Sequence, residues 1–390
     1  MHKILMVICL SFLFAGGSQV DAWSADKEET IKVGFNIPLT GTNPDVGTSS
    51  KNAAEMFLKE NRSIKVGKKL YRLKFIYADN HYNPAKALKA TTQLIKEEEV
   101  LGIIGPQASS QAVPTGEIAN DFGTPMISPW STNPQTTHDR PYVFRGAFID
   151  SFQAPVLTVF ASTELGAKTA AVLYDVDSDY SRGVAEYFKF AFENLLGKGS
   201  IVAFESFHTN DKDFSKQLFK IITSKPDVLF VPQYYTEVPV IVKSAQDMGW
   251  TKPILGSDSW GGGDLMELCD QYCNGYYFTT HYTTIGAKGE TKKFIERYEA
   301  LFDKAPDDVA ALTWDSIGLM VQAIKDTGGL SNQIKEDRMK VKNCLANITN
   351  YGGVTGPISL TPGGDPRKCV TILKIGKGGS LNFYQSVCPR

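Results

Sequence analysis

Short apolar, β-branched runs alternate along this chain with longer stretches of helical period. The first run, 31–37 (IKVGFNI), ends at Pro38. Residues 47–60 read as a helix, and 71–78 (YRLKFIYA) alternate like a strand. Residues 84–97 open with proline in the first turn, a good helix start. A short buried strand follows at 100–104, closed by Gly105-Pro106. Residues 109–121 read as a helix opened by two hydroxyl residues, and 125–127 read as a strand, with the stretch 142–145 after it. The chain then passes through Asp150-Ser151 into an apolar helix.

The alternation restarts with a strand at 169–174 and a helix at 180–196. Strands at 200–207, 227–231, 253–255 and 275–279 are interleaved with helices at 213–223 and 238–248, the latter stopped by Gly249. Helices at 291–302 and 309–326 follow, and 369–387 read as a hairpin turning at Gly376-Lys377-Gly378-Gly379. Such alternation predicts βαβ units and parallel sheets. Two series predict an α/β chain with two doubly wound parallel-sheet lobes. There is no repeat shorter than a domain and no low-complexity linker, so short hinges are expected. Open parallel sheets bind ligands beyond the carboxyl ends of their strands.

Composition narrows the function. A chain of 390 residues has material for two or three domains. The net charge of −1 lacks the basic excess of a nucleic-acid binder. Only the start is strongly apolar, which excludes a polytopic membrane protein. Met1-His2-Lys3, the apolar run 4–14 and the small residues Ala15 to Ser18 form a secretory signal peptide. Cleavage after Ala22 is expected, with Ser24 as the rival, and export to the periplasm follows. Cys9 lacks the context of a lipoprotein cysteine. Removing it leaves Cys269, Cys273, Cys344, Cys369 and Cys388, an odd number that implies a free thiol or an intermolecular bond. Cys369 and Cys388 flank the hairpin turn and could lie side by side. Cys269 and Cys273 are in bridging range on a helix, or form a weak zinc motif.

Catalytic motifs are missing. The sequence has no Walker A, GxGxxG, HExxH or GxSxG pattern. His81, His138, His208 and His281 have no metal-ligand spacing, and Gly261-Gly262-Gly263 lacks a phosphate-binding lysine. No enzyme, cofactor or metal is expected. Three strand-end loops do carry polar chemistry. The 100–104 strand runs into Ser109 and Ser110, where hydroxyls at a helix N-terminus suit a carboxylate, or serve as a plain cap. The 125–127 strand runs into Trp130, Ser131 and Thr132. The 253–255 strand runs into Ser257, Asp258, Ser259 and Trp260, where Asp258 could receive an ammonium.

The segments IKVGFNIPLTGTNPDVG, LGIIGPQASSQAVP, GTPMISPWSTNP and YVFRGAFIDSFQA resemble the type I periplasmic solute-binding proteins of ABC importers, in particular the branched-chain amino acid receptors. Later pieces, YDVDSDYSRG, PDVLFVPQYYTEV and GSDSWGG among them, extend the likeness over nearly the whole mature chain. The resemblance implies two lobes that close on a ligand by hinge motion. It places three crossings near Ile149-Asp150, near His281-Tyr282 and near 357–360. One lobe would hold 30–149 and 282–357, the other 150–281 and 358–390.

It also implies the site. Ser109 and Ser110 would hold an α-carboxylate, and Thr132, helped by Ser131, the amino group. Trp130 would form a flat wall. Tyr180 and Tyr234 would close from the second lobe, and Asp258 would meet the ammonium. Trp130 and Trp260 could stack on an aromatic ligand or shield an aliphatic one. The implied partners are a small-molecule amino acid and the membrane permease of an ABC importer, with the receptor a monomer and no nucleic acid. The competing reading is a receptor of the same fold for an aromatic acid or amide without an α-amino group, serving in signalling.

Overall fold

The computed structural model describes residues 29–389. The expected signal peptide and its cleavage site lie outside the described residues. In the first half, β1 (Glu29–Ile37), α1 (Pro44–Glu60), β2 (Ser63–Val66), β3 (Lys69–Asp79), α2 (Pro84–Lys96), β4 (Gly102–Ile104), α3 (Ser109–Asp121), β5 (Met126–Ser128) and β6 (Val143–Arg145) alternate. They form a sheet of order β2-β3-β1-β4-β5-β6, parallel except where β2 turns back on β3. Residues 33–37 of β1 are buried without a break, as a parallel strand covered on both faces should be. Proline opens α1 and α2, and Asn83 caps α2 by accepting from Lys86 N at 3.0 Å.

The second half comprises α4 (Asp150–Thr163), β7 (Ala170–Asp175), α5 (Asp179–Leu196), β8 (Ile201–Phe207), α6 (Ser215–Thr223), β9 (Val228–Val231), α7 (Val238–Asp247), β10 (Ile254–Gly256), α8 (Leu265–Cys269) and β11 (Tyr277–Thr280). Helices α9 (Gly289–Phe302), α10 (Asp308–Asp326) and α11 (Ile334–Leu345) follow. The short strands β12 (Tyr351–Gly353), β13 (Gly356–Leu360) and β14 (Pro366–Arg367) lead to the terminal hairpin β15 (Val370–Ile375) and β16 (Leu381–Val387). The second sheet has the order β16-β15-β11-β10-β9-β7-β8, its last hairpin antiparallel. Both sheets match the α/β, doubly wound expectation. Cys369 pairs with Cys388 across the hairpin, Cys269 pairs with Cys273, and Cys344 is free.

The chain moves between sheets at Phe148, at His281 and at Lys368, all buried. Helices α9 and α10 return to the first sheet, where Phe294, Tyr298, Trp314 and Ile317 join Val33 and Phe35 in one core. The third passage comes later than 357–360. Ile358 and Leu360 point into that first core, so β13 stays with it, and the second sheet resumes only at Val370. Strand β2, helix α11 and the β12-β13-β14 sheet were not foreseen from the pattern. Among the described residues, no helix is long and apolar enough to cross a membrane.

Candidate functional site

The strand-end loops of the two sheets face each other. On the first, β4 leads to Ser109 at the start of α3. The N-cap is Ala108, with no side-chain cap, so the serine is free of that task. Ser109 Oγ instead lies 2.9 Å from Ser131 Oγ, which lies 2.7 Å from Thr136 Oγ1. The plain-cap alternative for Ser109 therefore fails. Ser110 is half-buried on the same turn. The loop after β5 is gripped from behind by Arg145. Its guanidinium donates to the Ser131 carbonyl at 2.9 Å, to the Asn133 carbonyl at 2.9 Å and to Asp365 Oδ1 at 2.6 Å. Trp130 Nε1 is buried without a hydrogen bond, and the Thr132 hydroxyl and the Asp150 carboxyl are buried against each other.

On the second sheet, α5 presents Tyr180 and the turn after β10 presents Asp258. The Tyr180 phenol lies 2.7 Å from Asp258 Oδ1 and 2.7 Å from Ser257 Oγ, and accepts from Ser259 N at 3.2 Å. Burial, then the Asp258 and Asp150 charges, pushes that phenol well above its ordinary value, so it stays a donor. Tyr234 follows β9. Its ring centroid lies 5.2 Å from Tyr180, 5.9 Å from Trp130 and 5.8 Å from Tyr82. The lobes thus meet through aromatic rings. Trp260 plays a different part. Its indole donates to the Val231 carbonyl at 3.1 Å and lies over Gly256 inside the second core.

Asp258 is 1% exposed. Gln153 Nε2 donates to its Oδ1 at 2.8 Å and to Asp150 Oδ1 at 2.7 Å. His281 Nε2 lies 3.2 Å from Oδ2. Among the described residues, His281 is the only basic side chain within ion-pair distance of Asp258. Burial pulls the imidazole below its ordinary value, against the Asp258 contact that would raise it. Burial, and next the Asp258 charge, pushes the Asp150 carboxyl up to about 7. The site is therefore a buried pair of carboxyls without a fixed counter-cation, facing hydroxyls and a helix N-terminus across an aromatic seam.

Seven of the eight expected site residues are linked through this network or are buried beside it, and Ser110 borders it. Gln153, Tyr82 and Arg145 were missed, and His281 was read only as a crossing. The one available signal was Asp150 and Gln153 at i, i+3 on one helix face.

The family model described as periplasmic binding protein matches residues 30–380. A leucine-, isoleucine-, valine-, threonine- and alanine-binding protein from Pseudomonas aeruginosa is 25% identical over 340 residues, 86% of this chain and 87% of that protein. A leucine-binding protein from Thermotoga maritima superposes with a TM-score of 0.85 at 30% identity, covering 92% of this chain and 99% of that one. A branched-chain amino acid transporter substrate-binding protein from Streptococcus pneumoniae, in complex with isoleucine, gives 0.83 at 30% identity, with 93% and 100% covered. A solute-binding protein from R. palustris in complex with benzoate shares the fold, with a TM-score of 0.81 at 24% identity and 92% and 97% covered. The chain belongs to the periplasmic binding protein family, whose members bind solutes and are not enzymes.

Proposed function

We propose that this chain is the extracytoplasmic substrate-binding protein of an ABC importer, capturing an α-amino acid between two lobes and presenting it, as a monomer, to a membrane permease. One lobe comprises 29–148 and 282–367, the other 149–281 and 369–389. The ligand carboxylate docks on Ser109, Ser110 and the α3 N-terminus. Ser131 and Thr132 flank the amino group, Trp130, Tyr180 and Tyr234 close over it, and Asp258 receives the ammonium.

The carrying observation is Asp258 itself. It is buried on the second lobe, and its one basic neighbour is an imidazole whose protonation burial disfavours. A buried carboxylate without a counter-charge is costly, and a ligand ammonium removes that cost only when the lobes are closed. Ligand binding then drives closure.

A second reading has one observation behind it. Tyr180, Gln153 and His281 already hold both Asp258 oxygens. In that case the ligand is a carboxylate without an amine. Thermal unfolding of ligand-stripped protein against the twenty amino acids, γ-aminobutyrate, aromatic acids and short amides separates the two. A ligand at one hundred times its dissociation constant adds about 2.7 kcal/mol. A shift with an α-amino acid that is lost in Asp258→Ala supports the amino-acid reading. A shift only with amine-free carboxylates replaces it with the second.

A further inference from the structure

The aromatic seam between the lobes is closed by direct contact. The Tyr234 ring, from the second lobe, lies 5.9 Å from Trp130 and 5.8 Å from Tyr82 on the first, and 5.2 Å from Tyr180 beside it. Rings in contact have centroids about 4.5–7 Å apart. A flat ring slipped between two others needs them parallel and about 7 Å apart, two carbon contact distances. The three pairs are closer than that and are inclined at 49°, 88° and 31°. Trp130 and Val309 from the first lobe share one apolar core with Tyr180, Tyr234 and Tyr235 from the second. The Trp130 ring edge also meets Gly262, where a Cβ would stand 2.8 Å from Trp130 Cζ2 and 3.4 Å from Val309 Cγ2.

Polar bonds elsewhere along the cleft set the spacing of this seam. Tyr235 Oη donates to Asp45 Oδ2 at 3.1 Å, Asn133 Nδ2 to the Asp179 carbonyl at 2.9 Å, and Gly263 N to Asp307 Oδ2 at 3.3 Å. Each joins one lobe to the other, and none uses a residue of the proposed ligand site. A ligand side chain that holds the lobes apart forfeits these bonds and separates the rings as well. Extra atoms forced into apolar contacts that are already packed are unfavourable.

We infer that the seam is a size filter, in which Tyr234 closing on Trp130 and Tyr82 selects glycine, alanine and serine over branched-chain and aromatic amino acids. The inference rests on the amino-acid reading above. With the carboxylate on Ser109 and Ser110 and the ammonium at Asp258, the ligand side chain meets rings that already fill the space between the lobes. A short side chain lets the rings and the three bonds between lobes form together. A long one gains apolar contact only by breaking them.

The test is calorimetric titration of the ligand-stripped protein with glycine, L-alanine, L-serine, L-valine, L-leucine and L-phenylalanine. In an open apolar pocket each buried methylene raises affinity about fourfold. Here the order is expected to reverse, with alanine at least about tenfold tighter than leucine or phenylalanine. Trp130→Ala opens the seam and should cut the alanine-to-leucine ratio about tenfold. Tyr235→Phe keeps its ring and loses the bond to Asp45. It should lower alanine affinity about fivefold and leave leucine affinity unchanged, whereas a general structural defect would lower both equally. Propionate against 4-methylpentanoate repeats the comparison without the ammonium. If propionate is preferred while no amino acid binds, the ammonium role of Asp258 falls and the size filter stands. Leucine or phenylalanine binding as tightly as alanine, a ratio that neither variant changes, or no binding in either series overturns the filter.

Discussion

Tyr180 and Asp258 meet over 2.7 Å, one from the first turn of α5 and the other from the turn after β10. The phenol donates a charge-assisted hydrogen bond to a carboxylate that is otherwise held by the Gln153 amide and the His281 imidazole. Tyr180→Phe deletes the bond and leaves the ring. The ligand-free protein should lose about 1–3 kcal/mol in urea unfolding, and the ligand affinity should fall at least about tenfold. An unchanged unfolding midpoint would show that the contact contributes nothing to stability.

Asp150 gives the stability a pH signature. Its carboxyl is pushed up to about 7 by burial and the Asp258 charge. From about pH 4 to 7 the folded protein keeps a proton that the unfolded chain has released. Stability from this group is full below about pH 4 and is lost as pH rises through 7, by up to about 4 kcal/mol. His281 works in the opposite sense, because burial keeps it neutral while the unfolded chain takes up a proton below pH 6.5. Asp150→Asn removes only the first effect. The wild-type-minus-variant stability should therefore fall steadily from pH 4.5 to about 7, measured by denaturant unfolding. A flat difference curve would mean that Asp150 is ionised throughout.

The Gly261-Gly262-Gly263 loop has a steric task. A Cβ at Gly262 would stand 2.8 Å from Trp130 Cζ2, on the opposite lobe. Gly262→Ala should weaken ligand binding about tenfold or more, because only the closed form suffers the clash. The ligand-free unfolding midpoint should stay within about 0.5 kcal/mol of wild type, since opening relieves the contact. Trp130→Phe in the same chain should restore part of the closure, read by small-angle scattering with and without ligand. A loss of stability equal to the loss of affinity would count against the steric account.

The Cys369–Cys388 bridge closes a loop with a sequence separation of 19 and ties the edge strand β16 to β15. Replacing both cysteines by serine should lower the unfolding free energy by about 3 kcal/mol on the loop-entropy estimate. Leaving Cys269–Cys273 intact keeps the comparison clean. A cost below about 1 kcal/mol would show that strand pairing alone holds the hairpin.

The parts of the fold that were legible had strong local signals. The buried run of β1, the proline-opened α2 and the glycine-turned terminal hairpin each carried their own pattern. Strand β2 (SIKV) was missed because its pattern is four residues long and borrows its stability from β3. Helix α11 was missed because its face is mostly charged, and burial of Val341 and Leu345 against the first core decides it. At the site, Ser109, Ser131 and Asp258 were visible as polar residues at strand ends, and Tyr180 came only with the family resemblance. Gln153 and His281 were not, since an amide on an apolar helix and a single buried histidine look like ordinary core positions.

By itself the sequence determined two doubly wound lobes and the family, because local periodicity and contiguous motifs are short-range properties of the chain. Only the tertiary structure decided that β13 stays with the first core, that Gln153 joins Asp150 to Asp258, and that Tyr82 and Trp130 both pack on the Tyr234 ring. These relationships link residues tens to hundreds of positions apart. Their energies depend on burial and distance, which exist only once the two sheets are folded and closed on each other.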